Sequence, residues 1–412
     1  MQYFLFFFFL FIGWKFIINN NFIKSSALTK KEISLLYFIK IIAGIIIGWI
    51  AFNKDINNDY WVLHHDGWKE HQLLIQHPGI FISDLFFSPY TNKYGGFFNA
   101  VGSFWNDLRT NIIVKSIAIV DLVSRGNYYI NSIFFNTLGF FGHVALFKLF
   151  SNIYPNKKYP IIAGCFLLPS TLFFTSGVHK DVLVFTALAF FCLSLFSILT
   201  SCLSAKKTAA LLLSSLIILT FRNFLFIALI PATLSILIST RLKIKPAVAF
   251  PLIYIGSILV ISLLSIFSPT FQPLKIITQR QEDFIQLERA RSQISLTKLE
   301  PNVTSFLNNF PEALNHGLVR PYVWETNTLF SLLTAIEWTF YLILFLLAIF
   351  NIKRFDKNNP KHYFLFFLTL FMFIIIGYTI PNTNSIVRYR SLYLPLIITP
   401  LLCWAPIFKK KG

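Results

Sequence analysis

Long apolar stretches alternate with polar connections along almost the whole chain. A membrane-spanning α-helix needs about 20 predominantly apolar residues, and most of the stretches approach or exceed this length. The pattern predicts an all-α, polytopic membrane protein with about eleven transmembrane helices, at residues 3–18, 33–52, 128–149, 159–175, 182–200, 208–221, 224–240, 246–267, 329–352, 363–380 and 391–408.

Two of these stretches, residues 159–175 and 208–221, are short for a full crossing. We expect them to extend into their polar flanks or to end within a protein-lined cavity. The first stretch, residues 3–18, has neither a basic region before it nor a small-residue cleavage site. It therefore predicts a short spanning helix rather than a signal peptide.

Two long polar segments interrupt the apolar pattern, at residues 53–127 and 268–328. In the first segment, residues 69–87 and 110–123 are too short or too polar to span a membrane. The spacing of their apolar residues predicts helices that lie in the membrane interface. The whole chain, residues 1–412, is interpreted as a single integral membrane domain in which both segments are extracytoplasmic loops.

The charges agree with a membrane location. Mean hydropathy is +0.64, and only 13% of residues are charged, against about 25% in globular proteins. The connections assigned to one side contain seventeen Lys or Arg residues and two acids, Glu32 and Asp356. This asymmetry predicts an N-terminus outside and a C-terminus in the cytoplasm. The abundance of Phe, Ile, Asn and Lys fits a bacterial source, so the membrane is expected to be a bacterial inner membrane. The cations are dispersed among short loops, so no nucleic-acid partner is expected.

The first candidate site follows the second predicted span. Asp66 lies close enough to the membrane exit to meet a lipid head group, and it is predicted to take a proton from an attacking hydroxyl. Glu70 shares its face one helical turn later, and His65 is included as a substrate-binding neighbour. Adjacent residues His64 and His65 cannot easily point at one ion, so no metal site is predicted.

The second candidate site lies between the predicted spans 159–175 and 182–200. Gly177 is expected to end one helix and Ser176 to help cap the next. Lys180 then lies near a helix N-terminus, where its ammonium and backbone N–H groups favour an anion. His179 is included in this predicted substrate-binding site. The alternative is a tight helical hairpin in which Lys180 merely pairs with Asp181.

Three arginines add to the predicted anion site. Arg222 stands in a short connection with few other polar residues, and Arg388 and Arg390 lie on the outer side, against the general charge trend. A guanidinium binds phosphate through a planar fork of donors. The alternatives are a turn residue for Arg222 and surface snorkelling for the other two. Glu337, inside a predicted span, is either functional or paired within the bundle.

The layout resembles the GT-C class of membrane glycosyltransferases, which place an acidic motif in an early outer loop before interfacial helices and many spans. Residues 169–181 and 388–395 are similar to bacterial members of that class. The resemblance implies transfer of a sugar from a polyprenyl-phosphate carrier to a glycan or lipid acceptor outside the membrane, in cell-surface glycan assembly. It implies no cofactor beyond this lipid-linked donor.

Residue by residue, the resemblance implies Asp66 as the base and a set of phosphate ligands, namely Lys180, Arg222, Arg388 and Arg390. The family's acid usually follows the first span, whereas here it follows the second. Either residues 3–18 form a helix that is added to the arrangement of the family, or the assignment of Asp66 as the family's acid is wrong.

Two other functions remain open. A polymerase similar to O-antigen polymerases would use arginines of the second outer segment, namely Arg280, Arg289, Arg291 and Arg320. A transporter of lipid-linked sugars is the other alternative. Transporters often carry internal repeats and charges near the midplane, whereas here no repeat is visible and the charges gather on one side.

Overall fold

The structure is a computed structural model, and it describes residues 1–54, 56, 58–90, 96–98, 102–201, 203–267, 272–286, 292–326, 328–350 and 356–405. Arg289, Arg291 and the C-terminal lysines Lys409, Lys410 and Lys411 fall outside these residues, as do Lys353 and Arg354.

Within the described residues the chain is helical, apart from turns and one isolated bridge between Gln293 and Asn382. The α-helices are α1 (Gln2–Asn19), α2 (Asn21–Lys24), α3 (Lys30–Lys54), α4 (Asp59–Gln76), α5 (Pro78–Ser83), α6 (Phe104–Ser124), α7 (Tyr128–Ile153), α8 (Lys158–Phe166), α9 (Pro169–Phe174), α10 (Lys180–Thr200), α11 (Ala205–Phe221), α12 (Asn223–Arg241), α13 (Pro246–Phe267), α14 (Pro273–Gln286), α15 (Val303–Asn308), α16 (Phe310–Leu314), α17 (Leu329–Phe350), α18 (Pro360–Thr379), α19 (Thr383–Ser391) and α20 (Leu394–Trp404).

Eight of these helices are long and apolar enough to cross a membrane, namely α1, α3, α7, α10, α12, α13, α17 and α18. A ninth crossing results if α19 and α20, which are bent by 70°, form one span. The chain is thus a helical membrane protein. The predicted number of about eleven spans is not confirmed in the described residues, and three of the predicted spans account for the difference.

Proline explains two of the three differences. The predicted span at 159–175 is divided into α8 and α9, because Pro169 lacks an N–H group and disfavours helical geometry at the residue before it. Leu168 accordingly has an extended ψ of 117°. Of the predicted span at 391–408, residues 406–408 lie outside the described residues, and the rest is mainly α20, which begins with Pro395 in its first turn and is bent by 70° from α19. The third, 208–221, becomes α11, which has only 17 residues.

Helix α7 lies at the centre of one half of the molecule, where it packs against α1, α3, α8 and α10. In the other half, α18 packs against α12, α13, α14, α16 and α20. Helix α10 connects the halves, because it contacts α7 on one side and α11 on the other. Large apolar side chains of α1, α13 and α17 remain exposed, as expected for helices that face lipid.

The two predicted outer segments contain helices of their own. Helices α4 and α6 pack on each other in the first segment, and α14, α15 and α16 belong to the second. Helix α4 begins at Asp59, ten residues earlier than the predicted helical piece at 69–87. The location of α4 to α6 in the membrane interface stays a prediction.

A very close helix crossing holds the second segment to the bundle. A Cβ atom added to Gly377 of α18 would lie 2.0 Å from the carbonyl oxygen of Ala313 in α16, and one added to Gly317 would lie 2.1 Å from that of Phe373. Because both contacts are with backbone atoms, neither can be relieved by a side-chain rotation.

We therefore predict that Gly377→Ala forces α16 and α18 apart and lowers the free energy of unfolding by about 1–3 kcal/mol, the usual cost of overpacking. Gly256→Ala is the matched control, since its Cβ would meet nothing within 4 Å and alanine favours the helix. Denaturant titration in detergent measures both. Equal midpoints for the two variants would contradict the predicted close crossing.

Candidate functional site

The site forms where α10 begins. Gly177 has a φ of +80°, a left-handed conformation that favours glycine, and a Cβ there would come within 3.0 Å of Ile47 and Tyr128. His179 then caps α10, because its Nδ1 accepts the backbone N–H of Asp181 at 3.0 Å. The prediction that Ser176 helps to cap this helix is wrong. The Ser176 hydroxyl instead donates to the carbonyl of Leu172 within the preceding turn.

Asp181 is the centre of the site and is completely buried, with 0% of its surface exposed. Its Oδ1 accepts from Arg222 Nη2 at 2.5 Å, and its Oδ2 accepts from Arg388 Nε at 3.0 Å. The alternative pairing of Lys180 with Asp181 is therefore not what the structure contains. One carboxylate joins the start of α10 to the α11–α12 connection and to α19.

Asp59 adds an accessible carboxylate to this network. Its Oδ2 accepts from Arg388 Nη1 at 2.9 Å and lies 3.7 Å from His179 Nε2, while 60% of the Asp59 side chain is exposed. Contact with His179, and then the positive charges of Arg388 and Lys180, hold the pKa of Asp59 well below its usual value, although burial acts in the opposite direction. Asp59 is therefore an anion at physiological pH.

A cavity of about 110 Å³ lies beside this network. Its charged lining residues are Arg109, Lys180, Arg222 and Arg280, and no carboxylate lines it among the described residues. The remaining wall is largely apolar and includes Phe224, Phe284, Met372 and Ile376. The cavity therefore combines a cationic side with an apolar side.

Of the four cavity cations, Arg222 is paired with Asp181, whereas Arg109, Lys180 and Arg280 form no salt bridge in the described residues. Burial, followed by the charges of Arg280 and Arg222, lowers the pKa of Arg109 to about 10. Burial also lowers the pKa of Arg280, and Arg222 adds to this effect. Within the described residues, the Lys180 ammonium has no hydrogen bond or ion pair, and the buried Nε atoms of Arg109 and Arg222 have no hydrogen-bond partner.

Counting neighbours gives the net charge of this region. The four cations of the cavity and Arg388 face Asp59, Asp181 and Asp283, the last being an electrostatic neighbour of Arg280. Among the described residues of this region, the five cations thus exceed the three carboxylates by two. Because unpaired buried charge is costly, this arrangement favours a bound anion.

Three of the four predicted phosphate ligands lie together, and the fourth does not. Arg222 and Arg388 share Asp181, and Lys180 lines the same cavity as Arg222. Arg390 is only 1% exposed, donates to the carbonyl of Gly317 at 3.0 Å and lies 3.9 Å above the Trp338 ring. Arg390 is therefore a packing residue, and its predicted place beside Arg388 is wrong because neighbours two apart on a helix face different sides.

The predicted acids lie away from the cavity. Asp66 forms an ion pair with Lys69 at 2.8 Å and keeps 39% of its side chain exposed. Glu70 accepts from Lys115 at 2.6 Å. Neither residue lines the cavity, and neither does His65, which is exposed on α4 beside Trp61. Their catalytic or substrate-binding roles stay predictions, but the acid in contact with the basic network is Asp59, about 10 Å along α4 from Asp66.

Sequence reasoning missed several residues of this site. Asp59 belongs to the same acidic cluster as Asp66, and only its contact with Arg388 distinguishes the two. Arg109 and Arg280 come from the two separate outer segments, and no local spacing connects them. Arg280 had been weighed only for the polymerase-like alternative. Arg320 of that set pairs instead with Glu325 at 3.0 Å.

The described residues contain no group of three or more His, Cys, Asp or Glu side chains arranged to hold a metal ion. No family model, no curated protein and no solved structure matches this chain. Function is therefore argued from the geometry of the network and the cavity.

The central role of Asp181 gives a testable prediction. Asp181→Asn leaves Arg222 and Arg388 without their shared counter-charge, which should cost about 3–5 kcal/mol of stability, as for other broken buried ion pairs. Asp66→Asn is the control, because its pair with Lys69 is exposed to solvent, where an ion pair adds little stability. Denaturant titration in detergent compares them, and a normal midpoint for Asp181→Asn would refute the proposed central role.

Proposed function

We propose that this protein is a membrane glycosyltransferase that takes a sugar from a polyprenyl-phosphate carrier and adds it to a glycan or lipid acceptor. The observation that carries the proposal is the cavity with four cations on one side, of which only Arg222 forms a salt bridge in the described residues, and apolar side chains on the other. A lipid phosphate has both properties, since its head is anionic and its chain is apolar. A lipid also reaches such a cavity along the membrane plane.

The donor phosphate is proposed to lie among Lys180, Arg222, Arg109 and Arg280. Hydrogen bonds from charged donors to phosphate are stronger than neutral ones, and guanidinium groups bind two oxygens at once. The first isoprene units would then contact Phe224, Phe284 and their apolar neighbours. The distribution of Lys and Arg supports the placement of this end of the bundle on the extracytoplasmic side of the membrane.

Asp59 is proposed to face the acceptor. The acceptor hydroxyl oxygen forms a bond to the anomeric carbon, while the bond from that carbon to the phosphate oxygen breaks and its electron pair leaves with the phosphate. The hydroxyl proton passes to Asp59, the exposed carboxylate that contacts the basic network through Arg388. Lys180 and the arginines stabilise the charge that develops on the released phosphate.

The polymerase-like alternative has one observation in its favour, because Arg280 of the second outer segment lines the cavity. Such an enzyme also binds a lipid-linked donor but joins oligosaccharides. Analysis of the product distinguishes the two enzymes, and binding of the donor without any transfer would favour a transporter.

Measuring the binding of a lipid phosphate tests whether the cavity is the donor site. Lys180→Gln and Arg280→Gln each remove a cation that forms no salt bridge in the described residues, so neither breaks a direct ion pair. Each should weaken binding of farnesyl phosphate by about 10- to 100-fold, since a hydrogen bond to a charged group is worth about 1.5–3 kcal/mol. Calorimetry in detergent provides the measurement.

Lys361→Gln is the control for net charge, because Lys361 lies at the opposite end of α18 from the cavity. It should bind farnesyl phosphate like the unaltered protein. Unchanged affinity in both cavity variants would rule out the proposed donor site.

Comparing two acids of α4 tests the proposed base. Asp59→Asn keeps the shape of the side chain but removes the proton acceptor, so transfer from a short polyprenyl-phosphate sugar should fall by about 10²–10⁴-fold. Asp66→Asn should retain near-normal transfer, because the ion-pair partner of Asp66 in the described residues is Lys69, which does not belong to the basic network. The opposite result, with Asp66→Asn inactive and Asp59→Asn active, would return the role of base to Asp66.

A further inference from the structure

The short helix α9 is contacted at both ends by charged side chains from distant parts of the chain. Glu337 comes from the middle of α17, and Lys40 comes from α3. Both belong to helices that are long and apolar enough to span the membrane, where a charge without a partner is expensive. The hydrogen-bond partners of Glu337 and Lys40 therefore show which part of the bundle these two charges stabilise.

Glu337 binds the N-terminal end of α9. Its two carboxylate oxygens accept the backbone N–H of Ser170 at 3.0 and 3.1 Å, and one of them also accepts the Ser170 hydroxyl. Tyr341 donates to the same carboxylate at 2.5 Å. Because Pro169 has no N–H, that of Ser170 is the first free donor of α9. A carboxylate at this position complements the positive end of the helix dipole.

Lys40 binds the opposite end. Its ammonium donates to the carbonyl and, at 2.8 Å, to the hydroxyl of Thr175, the residue that ends α9. Lys40 is only 1% exposed and has no carboxylate within ion-pair distance in the described residues. A cation at the C-terminal end of a helix again matches the dipole. The two charges thus hold α9 from opposite ends.

Helix α9 in turn contacts two parts of the site. The Thr171 hydroxyl donates to the carbonyl of Ser391 at 2.7 Å, which ties α9 to the end of α19, the helix that carries Arg388. On the other side, Thr175 leads through Gly177 to the start of α10. The N–H of Gly177 is further fixed by Asn136 Oδ1 at 3.1 Å.

We propose that Lys40 and Glu337 are positioning residues of the anion site. By fixing the two ends of α9, they set the start of α10 relative to α19, so that Asp181 meets Arg388 and Lys180 points into the cavity. Neither residue touches the proposed substrate, because neither lines the cavity. This inference rests on the proposed function, in which the cavity binds a lipid phosphate.

The experiment compares the buried Lys40 with the half-buried Lys148. Lys40→Met removes the ammonium that holds Thr175 but keeps the length of the side chain. Lys148→Met is the matched control, because Lys148 also donates to a backbone carbonyl, that of Phe22, and to a hydroxyl, that of Ser25 at 2.8 Å, but far from α9. Three quantities are measured in detergent: farnesyl phosphate affinity, thermal unfolding temperature, and hydrogen exchange of a peptide covering residues 175–181.

We expect Lys40→Met to bind farnesyl phosphate about 10- to 100-fold more weakly, since small displacements of binding groups have effects of this size. Exchange in residues 175–181 should be faster, and Lys148→Met should change neither quantity. Thr175→Ser keeps both acceptors of Lys40 and should retain affinity, whereas Thr175→Val should lose part of it. In the double variant of Lys40→Met and Thr175→Val, the two losses of affinity should not add, because both substitutions disrupt the same contact between Lys40 and Thr175.

Normal affinity and normal exchange in Lys40→Met would overturn the proposal. Equal losses in Lys40→Met and Lys148→Met would also overturn it, since they would reflect general loosening of the bundle. If Lys40→Met does not fold, Thr175→Val and Glu337→Gln provide the same comparison. The proposed function fails separately, if Lys180→Gln and Arg280→Gln both bind farnesyl phosphate normally while the exchange of residues 175–181 still responds to Lys40→Met.

Discussion

The buried carboxylate of Asp181 is the interaction on which the other parts of the site depend. A carboxylate with no exposed surface is stable only if it is paired and fully hydrogen-bonded. Asp181 meets this requirement with Arg222 and Arg388, which lie 41 and 207 residues away in the chain. The α11–α12 connection and α19 are thereby held against the start of α10. Lys180, the neighbour of Asp181, is carried to the cavity by the same constraint.

The treatment of charge differs between the interior of the bundle and the cavity. In the interior, Lys40, Glu337 and Arg390 each have a partner in a helix end, a carbonyl or an aromatic ring. At the cavity, cations from four separate elements approach one another instead. Burial, and then the charges of Arg280 and Arg222, lower the pKa of Arg109. Because only Arg222 among these cations forms a salt bridge in the described residues, this region favours an external anion.

Much of the helical framework could be predicted, since apolar length decides whether a segment crosses the membrane. The eight long helices fall on predicted apolar stretches. Pro169 and Pro395 lie where the helices of two other apolar stretches begin anew, but the prediction of full spans was based on hydropathy alone. The anion-binding interpretation of Lys180, Arg222 and Arg388 came from their unusual positions beside membrane segments. Asp59 could not be separated from Asp66 in this way, because both are acids in one polar segment.

The sequence by itself determined that this chain is a helical membrane protein, because hydropathy and helix length are local properties that need no partner. It also determined that a group of cations lies at one end of the bundle, since that follows from the order of the spans. Only the tertiary structure decided which of these cations meet. Arg388 and Arg390 are two residues apart, yet one faces Asp181 and the other packs on Trp338. Arg109 and Arg280 join the cavity from opposite halves of the chain, because helix packing, and not sequence distance, sets which side chains are neighbours.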